Sequence, residues 1–406
     1  MTDRLTQALE ETLATRSDRG LLRSLVHDSS KVENPDLVDF SSNDYLGFAR
    51  SEELDEMVEA AMAEKRKNKR RTLGAGGSRL LTGDSIEAQE LERYLAEFHD
   101  AEAALLFNSG FDANLSVMAA LPQPGSVVLF DELVHNSCRE GIRMCRAKAT
   151  KQFKHNDVED LRSCLKEFRA TNEMVIVVIE SVYSMDGHIA PLKEMLDVTD
   201  EYGAYMVVDE AHGTGVYGKG GRGLTQHLNE QHRVYARVHT FGKAVGAHGA
   251  VVVGPKVMRS YLINYARPLI YSTSLPMHSL VTIKCAYELM ERTADAKQER
   301  LSHIIDLFQS LAVQRGLEIA ESPSPIQAVI IRGNERVVRC SRAINAAGYQ
   351  VFPIRAPTVP AGEERIRIVL HSYNSDRDVQ GLIGAITDAL AASSSFTEPA
   401  DKKVRL

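Results

Sequence analysis

The chain has 406 residues, 44% of them hydrophobic and 25% charged, with a formal net charge of −7. That length exceeds one ordinary domain and implies a large unit with a smaller one, while the acidic balance argues against nucleic-acid binding as the main business. No apolar run approaches the ~18 residues that a membrane span needs, and the stretch from Met1 to Arg19 carries acidic residues and no apolar centre, so neither a span nor a secretory leader is expected.

Cys138, Cys145, Cys164, Cys285 and Cys340 are odd in number and scattered, which fits reduced thiols in a reducing, cytoplasmic setting. No clustered ligand set points to a metal. The C-terminal Val404-Arg405-Leu406 loosely resembles a peroxisomal address, with Val404 in place of the usual small residue.

In chain order, Leu9, Leu13, Leu21 and Leu22 with acidic spacers predict an amphipathic helix over 6–23. Asp39 to Gly47 reads as a short strand entering a polar turn, and a helix is predicted over 52–67. The basic run Lys65 to Arg71 reads as the solvated end of that helix, with a nuclear signal or a site for an anionic substrate tail as alternatives. Gly74-Ala75-Gly76-Gly77-Ser78-Arg79 breaks it. Glycines this close either let backbone approach a ligand or form a plain linker.

A helix over 86–98 and an apolar strand over 103–107 lead into Asn108-Ser109-Gly110-Phe111, which opens a helix to Ala120. A strand, a Ser-Gly turn and a helix start make an anion site, because unpaired amides and the positive end of the helix dipole converge there. Strands over 126–131, 174–180 and 204–209 then alternate with helices over 135–143 and 191–202. Such alternation implies right-handed crossovers and a mostly parallel buried sheet, with ligands beyond the carboxyl ends of the strands. Ser109, His135, Ser184, Asp209, His212, Thr240 and Lys243 all fall at such ends or just past them.

Gly218 to Gly223 matches G-x-G-x-x-G but does not run from a strand into a helix, so it is read as a glycine-rich loop and not a dinucleotide site. A strand over 248–254, a helix over 255–266 and a hydroxyl-rich turn ending in Pro276 follow. Helical patterning over 279–315 then crosses into an α+β unit with strands over 327–331 and 365–370 and helices over 336–347 and 376–391. The expected organisation is an N-terminal helix and substrate-side segment (1–50), a large domain (51–290), a small C-terminal domain (291–395) and a polar tail (396–406).

Two stretches carry the chemistry. Val207-Val208-Asp209 is an apolar run that delivers a carboxylate to a strand end, and Thr240-Phe241-Gly242-Lys243 delivers a lone amine from a turn. Each alone is common in α/β proteins. Together, a buried Asp and a desolvated Lys are the pair pyridoxal phosphate (PLP) requires: the acid keeps the pyridine nitrogen protonated, and the amine condenses with the aldehyde. Burial lowers the lysine pKa and so favours the nucleophilic form near neutral pH.

The ordered set Ser42-Asn43-Asp44-Tyr45-Leu46-Gly47, Gly74 to Arg79, Asp209-Glu210-Ala211-His212-Gly213-Thr214-Gly215 and Thr240 to Lys243 resembles the α-oxoamine synthases. These are fold-type I PLP-dependent transferases, α/β with a mostly parallel central sheet and a smaller α+β C-terminal domain. They join an amino acid to an acyl-CoA with loss of carbon dioxide. Within the family, Ala266 to Pro276, Pro353 to Gly362 and Ser184-Met185-Asp186-Gly187 most resemble the 8-amino-7-oxononanoate synthase branch of biotin synthesis. The alternatives are a sister synthase with another amino acid or acyl chain (sphingoid or amino-polyketide type), or a non-catalytic partner subunit.

The resemblance implies that Lys243 binds the cofactor and moves the Cα proton, with Asp209 on the pyridine nitrogen. His135 would stack on one ring face and Ala211 pack on the other. His212 and Ser184 would reach the phenolic oxygen. Thr240 with Ser109, Gly110 and Phe111 would hold the phosphate, and Thr273 and Ser274 would be lent by a neighbouring subunit, making a homodimer with shared active sites. Arg367, Asn43 and Arg23 would bind the carboxylate of L-alanine (Arg23 otherwise serving a surface ion pair), and Thr358 would line the acyl channel.

Overall fold

The computed structural model describes residues 3–18, 22, 37–67, 73–169, 174–356 and 358–394. Its strands are β1 (Val38–Asp39), β2 (Ala103–Phe107), β3 (Val127–Asp131), β4 (Ala149–Phe153), β5 (Val175–Glu180), β6 (Tyr205–Asp209), β7 (Val234–Thr240), β8 (Ala250–Gly254), β9 (Ile326–Ile330), β10 (Tyr349–Gln350), β11 (Phe352–Ile354) and β12 (Arg365–Val369).

Seven of them form one sheet in the order β2-β8-β7-β6-β5-β3-β4. Only β8 runs against its neighbours; the pairs β7–β6, β6–β5, β5–β3 and β3–β4 are parallel. β5 is Val-Ile-Val-Val-Ile-Glu and buried throughout, as a strand covered on both faces by helices must be. Alternate side chains feed two layers: Ile176, Val178, Val207 and Val238 on one face, Val177, Ile179, Met206 and Val208 on the other.

The sequence reading passed over β4 and the helix Val158–Arg169 after it. β4 is the sheet's edge and exposes Thr150, Lys151 and Gln152, so it has no apolar run to detect. Charge on an edge strand blocks further pairing.

The patterning over 279–315 is a single helix, Met277–Gln314, with Pro276 immediately before it. Its 38 residues extend about 57 Å at 1.5 Å per residue. Leu280 and Tyr287 pack with the β8 residues Val251 and Val253, while Ile304 and Phe308 join Val329 and Ile366 of the antiparallel sheet β11-β12-β9. One helix therefore spans both sheets. β1 pairs in parallel with β10, and Val369 N–H donates to Phe40 O (2.9 Å), which carries the polar turn after β1 to the C-terminal sheet.

The N-terminal helix is described over Arg4–Asp18 with all its residues exposed; Leu22 is outside any helix, and Leu21 lies outside the described residues. Arg23, the residues from Asn68 to Arg71 and the C-terminal tail lie outside the described residues. Among the described residues no helix is long and apolar enough to cross a membrane.

Candidate active site

β7 ends at Thr240, and the turn that follows is closed by Phe241 N–H to Gly249 O (2.9 Å), Ala247 N–H to Phe241 O (2.8 Å) and Gly246 N–H to Lys243 O (2.9 Å). Gly246 has φ +68°, and a Cβ there would lie 2.4 Å from Ala49 N, so the turn requires glycine. Lys243 is thereby aimed across the strand ends. Its Nζ lies 2.7 Å from His212 Nε2, and His212 Nδ1 lies 2.5 Å from the Tyr45 hydroxyl. Tyr45 donates to Asn43 Oδ1 (3.3 Å), which also accepts from Arg367 Nη2 (3.1 Å). One assignment satisfies the whole row: the amine donates to Nε2, Nδ1–H donates to Tyr45, and Tyr45 donates to Asn43.

Burial lowers the Lys243 amine to about 8, against the opposing pull of Asp209 and Glu180 and with Arg367 adding to the fall. Burial, with the Lys243 and Arg367 cations beside it, pushes His212 well below the usual histidine range, so it is a neutral imidazole.

Asp209 ends β6, where its carboxylate accepts from Ala211 N–H (2.8 Å) and from Asn114 Nδ2 (2.6 Å). Asn114 is fixed in turn by Ser137 Oγ (3.0 Å), and its Oδ1 is buried without a partner. In-register pairing sets Glu180 beside Asp209, and Glu180 accepts the His135 N–H at 2.5 Å. Burial, then the neighbouring Asp209 charge, drives the Glu180 carboxyl well above the carboxylate range. The His135 ring is exposed over this bed, its Nδ1 2.7 Å from Ser137 Oγ.

Ser109 caps the helix Gly110–Ala120, accepting from Asp112 N–H (3.0 Å) and donating to Asp112 Oδ2 (2.9 Å). The leading amides of Gly110 and Phe111 have no acceptor within the helix. A Cβ at Gly110 would lie 3.1 Å from Thr240 Oγ1, so this corner is narrow and lined by donors.

Thr273 O accepts from Asn108 Nδ2 (2.7 Å), and Ser274 Oγ donates to Gly83 O (2.6 Å). Ser274 is thus engaged within its own chain, while Thr273 is exposed. A Cβ at Gly83 would lie 1.9 Å from Gly77 O, so the glycine-rich loop is a backbone clasp, with Arg79 tied to the buried Glu92 (2.6 Å).

These residues fit PLP: a half-buried amine, a carboxylate at the end of the neighbouring strand for the pyridine nitrogen, an amide-lined corner for the phosphate, and an exposed imidazole at His135. Among the described residues no group of three or more potential ligands is placed to hold a metal. Ser184 lies at the rim with its carbonyl accepting from Arg367 Nε (2.8 Å). Thr358 sits exposed on a turn, its N–H to Arg355 O, with no hydrogen bond to this group shown.

Sequence reasoning missed three members of the site. Glu180 could have been found by the strand-end rule that found Asp209. Asn114 stands one helical turn beyond Gly110 and therefore faces the same corner. Tyr45 lay within a quoted motif, but its partner His212 is 167 residues away and no local pattern links them.

The model of the class I and II aminotransferases matches residues 35–386. A protein of Emericella nidulans named 8-amino-7-oxononanoate synthase is 39% identical over 94% of this chain and 95% of its own length. One of Methylococcus capsulatus with the same name is 37% identical, over 88% and 90%. Among solved structures, the serine palmitoyltransferase of Sphingomonas wittichii superposes with TM-score 0.86 at 28% identity, covering 98% of this chain and 100% of that one. The 8-amino-7-oxononanoate synthase of Francisella tularensis superposes with TM-score 0.73 at 26% identity, covering 88% and 99%. The chain belongs to the class I and II aminotransferase family and, within it, to the α-oxoamine synthases, PLP-dependent acyltransferases of fold type I.

Proposed function

We propose that this enzyme condenses L-alanine with a pimeloyl-type acyl thioester, forming a carbon–carbon bond and releasing the thiol and carbon dioxide to give 8-amino-7-oxononanoate. The observation that carries this reading is 39% identity, over 94% of the chain, to a relative of that name. The palmitoyltransferase structures superpose with TM-scores up to 0.86 at 27–29% identity, against 0.73 at 26% for the solved 8-amino-7-oxononanoate synthase, so shape gives the family alone and the branch rests on the relatives at 37–39% identity.

PLP, when bound, supplies an electron sink beside the amino acid's Cα. The protein supplies orientation and charge. Arg367, held by Ser184 O and Asn43, offers its remaining N–H groups to the substrate carboxylate, and a planar fork fixes that group's direction. Lys243, its pKa lowered to about 8, takes the Cα proton and returns it to the product. Neutral His212 accepts from the amine and passes the polarisation to Tyr45. Asp209, braced by Asn114, holds the pyridine nitrogen protonated. The amides of Gly110 and Phe111 with Thr240 hold the phosphate. Thr273, exposed at the rim, suits a partner subunit's phosphate and supports a homodimer with shared sites.

A panel of amino acids and acyl thioesters, read by thiol release, tests the substrate assignment. Alanine with a dicarboxylate-derived thioester is expected to give the highest kcat/KM. Serine or glycine outcompeting alanine would reject it in favour of a sister synthase.

A further inference from the structure

After β5 the chain makes a tight hairpin, closed by Tyr183 N–H to His188 O (2.9 Å) and Gly187 N–H to Tyr183 O (3.0 Å), with Val182 paired to Ile189. Gly187 has φ +74°, and a Cβ there would lie 2.3 Å from Ile326 O and from the hydroxyls of Ser322 and Ser324. The hairpin tip is therefore pressed against the start of β9 with no room for a side chain.

This hairpin is bonded to both sheets. On the side of the large sheet, His188 Nδ1 lies 2.9 Å from His155 Nε2, and His155 Nδ1 lies 3.0 Å from Asp131 at the end of β3. On the other side, Ser322 Oγ donates to Gly187 O (3.1 Å), Arg367 Nε donates to Ser184 O, and Arg365 Nη1 donates to Asp186 in an ion pair. Arg365 is buried and turns the rest of its fork to Glu363, with Nε to the carbonyl (2.8 Å) and Nη2 to the carboxylate (3.1 Å). Arg365 and Arg367 stand two apart on β12, so both leave the same face of the strand. The hairpin grips these neighbouring guanidinium groups through Asp186 and the Ser184 carbonyl.

We infer that Asp186 and Arg365 are positioning residues for the amino-acid substrate: their ion pair, buried at Arg365 and partly buried at Asp186, fixes the hairpin against β12 and thereby sets the direction in which Arg367 presents its fork. This rests on the reading of Arg367 as the carboxylate partner. The Ser184 carbonyl is a weak neutral acceptor that would follow any drift of the hairpin, whereas the carboxylate–guanidinium pair resists drift because the buried Arg365 charge is costly to leave without its partner. An ångström of misdirection at a substrate-orienting residue costs as much as about a hundredfold in rate.

The test uses the PLP-loaded enzyme with Asp186→Asn, Asp186→Glu, Arg365→Lys and, as a reference, Arg367→Lys, each measured for KM of the amino acid, KM of the thioester, Tm and cofactor absorbance. Asp186→Asn should fold, since it keeps the side chain's shape and leaves Arg365 its bonds to Glu363. Its KM for the amino acid is expected to rise about tenfold, with the thioester KM changed by less than about twofold and the cofactor band intact. Asp186→Glu should recover most of the loss, and Arg365→Lys should copy Asp186→Asn. If Arg367→Lys raises the amino-acid KM while Asp186→Asn and Arg365→Lys do not, the positioning role is wrong and the Arg367 reading stands. If both KM values rise together with a fall in Tm, the pair is merely structural and the inference fails. If Arg367→Lys itself leaves the amino-acid KM unchanged, the carboxylate reading falls and takes this inference with it.

Discussion

Lys243→Ala is expected to remove turnover, by at least about a thousandfold, while the protein stays folded. The amine is half-buried at the end of a turn, and its bond at the site is to His212. The turn itself is closed by backbone bonds of Phe241, Gly246 and Ala247, which the substitution leaves in place. Removing a desolvated cation also relieves a cost. Tm should therefore hold or rise slightly, and His212, freed of one neighbouring positive charge, should titrate nearer its ordinary range. Lys243→Arg separates charge from chemistry: it restores a cation but cannot condense with an aldehyde, so it should be as inactive as the alanine variant. Thiol release, Tm and the visible cofactor band measured together check this. A Lys243→Ala enzyme with normal turnover would instead favour a non-catalytic role for the residue.

Asp209→Asn has the second largest expected effect. Both carboxylate oxygens accept, one from Ala211 N–H and one from Asn114 Nδ2. An amide offers only one acceptor, so one contact would become donor against donor. Asn114 can relieve it by rotating its amide, because its Oδ1 lacks a partner. The fold should thus survive while the charge is lost. Removing one preorganised electrostatic partner costs about 10²–10³ in rate, which predicts a fall of roughly two to three orders of magnitude in kcat/KM. The sign of a second effect also follows. Asp209 raises the Lys243 pKa against the effect of burial, so its neutralisation should move the amine's titration below about 8. Steady-state kinetics with a pH series on the cofactor-free variant reads both.

Much of the large sheet was legible because strands buried on both faces are continuous apolar runs ended by polar residues. β2, β5 and β6 show it, and their ends located Ser109, Ser184 and Asp209. β4 escaped because its edge position calls for polar residues, which look like loop. The positions of Lys243, Asp209 and Thr240 were readable from local pattern, but their company was not. Asn43 meets Arg367 where β1 pairs with β10 and Val369 is bonded to Phe40, and Tyr45 of the same turn meets His212 past the end of β6, contacts between segments far apart in sequence. The glycine-rich stretch Gly74 to Arg79 left a ligand loop and a linker equally open in the sequence; the approach of Gly83 to Gly77 O shows a clasp. Ser184, which the family resemblance sets against the phenolic oxygen, also holds Arg367 through its carbonyl, a contact that no local pattern signals. Arg23 and Val404-Arg405-Leu406 fall outside the described residues, and the relatives lend the peroxisomal reading no support.

The central claim is that one amine, lowered by its surroundings, receives the cofactor. Cofactor-free enzyme mixed with PLP at a series of pH values, reduced with borohydride and peptide-mapped, tests it directly. The account predicts a pyridoxyl label on Lys243, formed at a rate that climbs with pH and levels off near 8, where the amine becomes neutral. Label spread over surface lysines, or on Lys243 only as pH passes the ordinary lysine value of about 10.4, would contradict it.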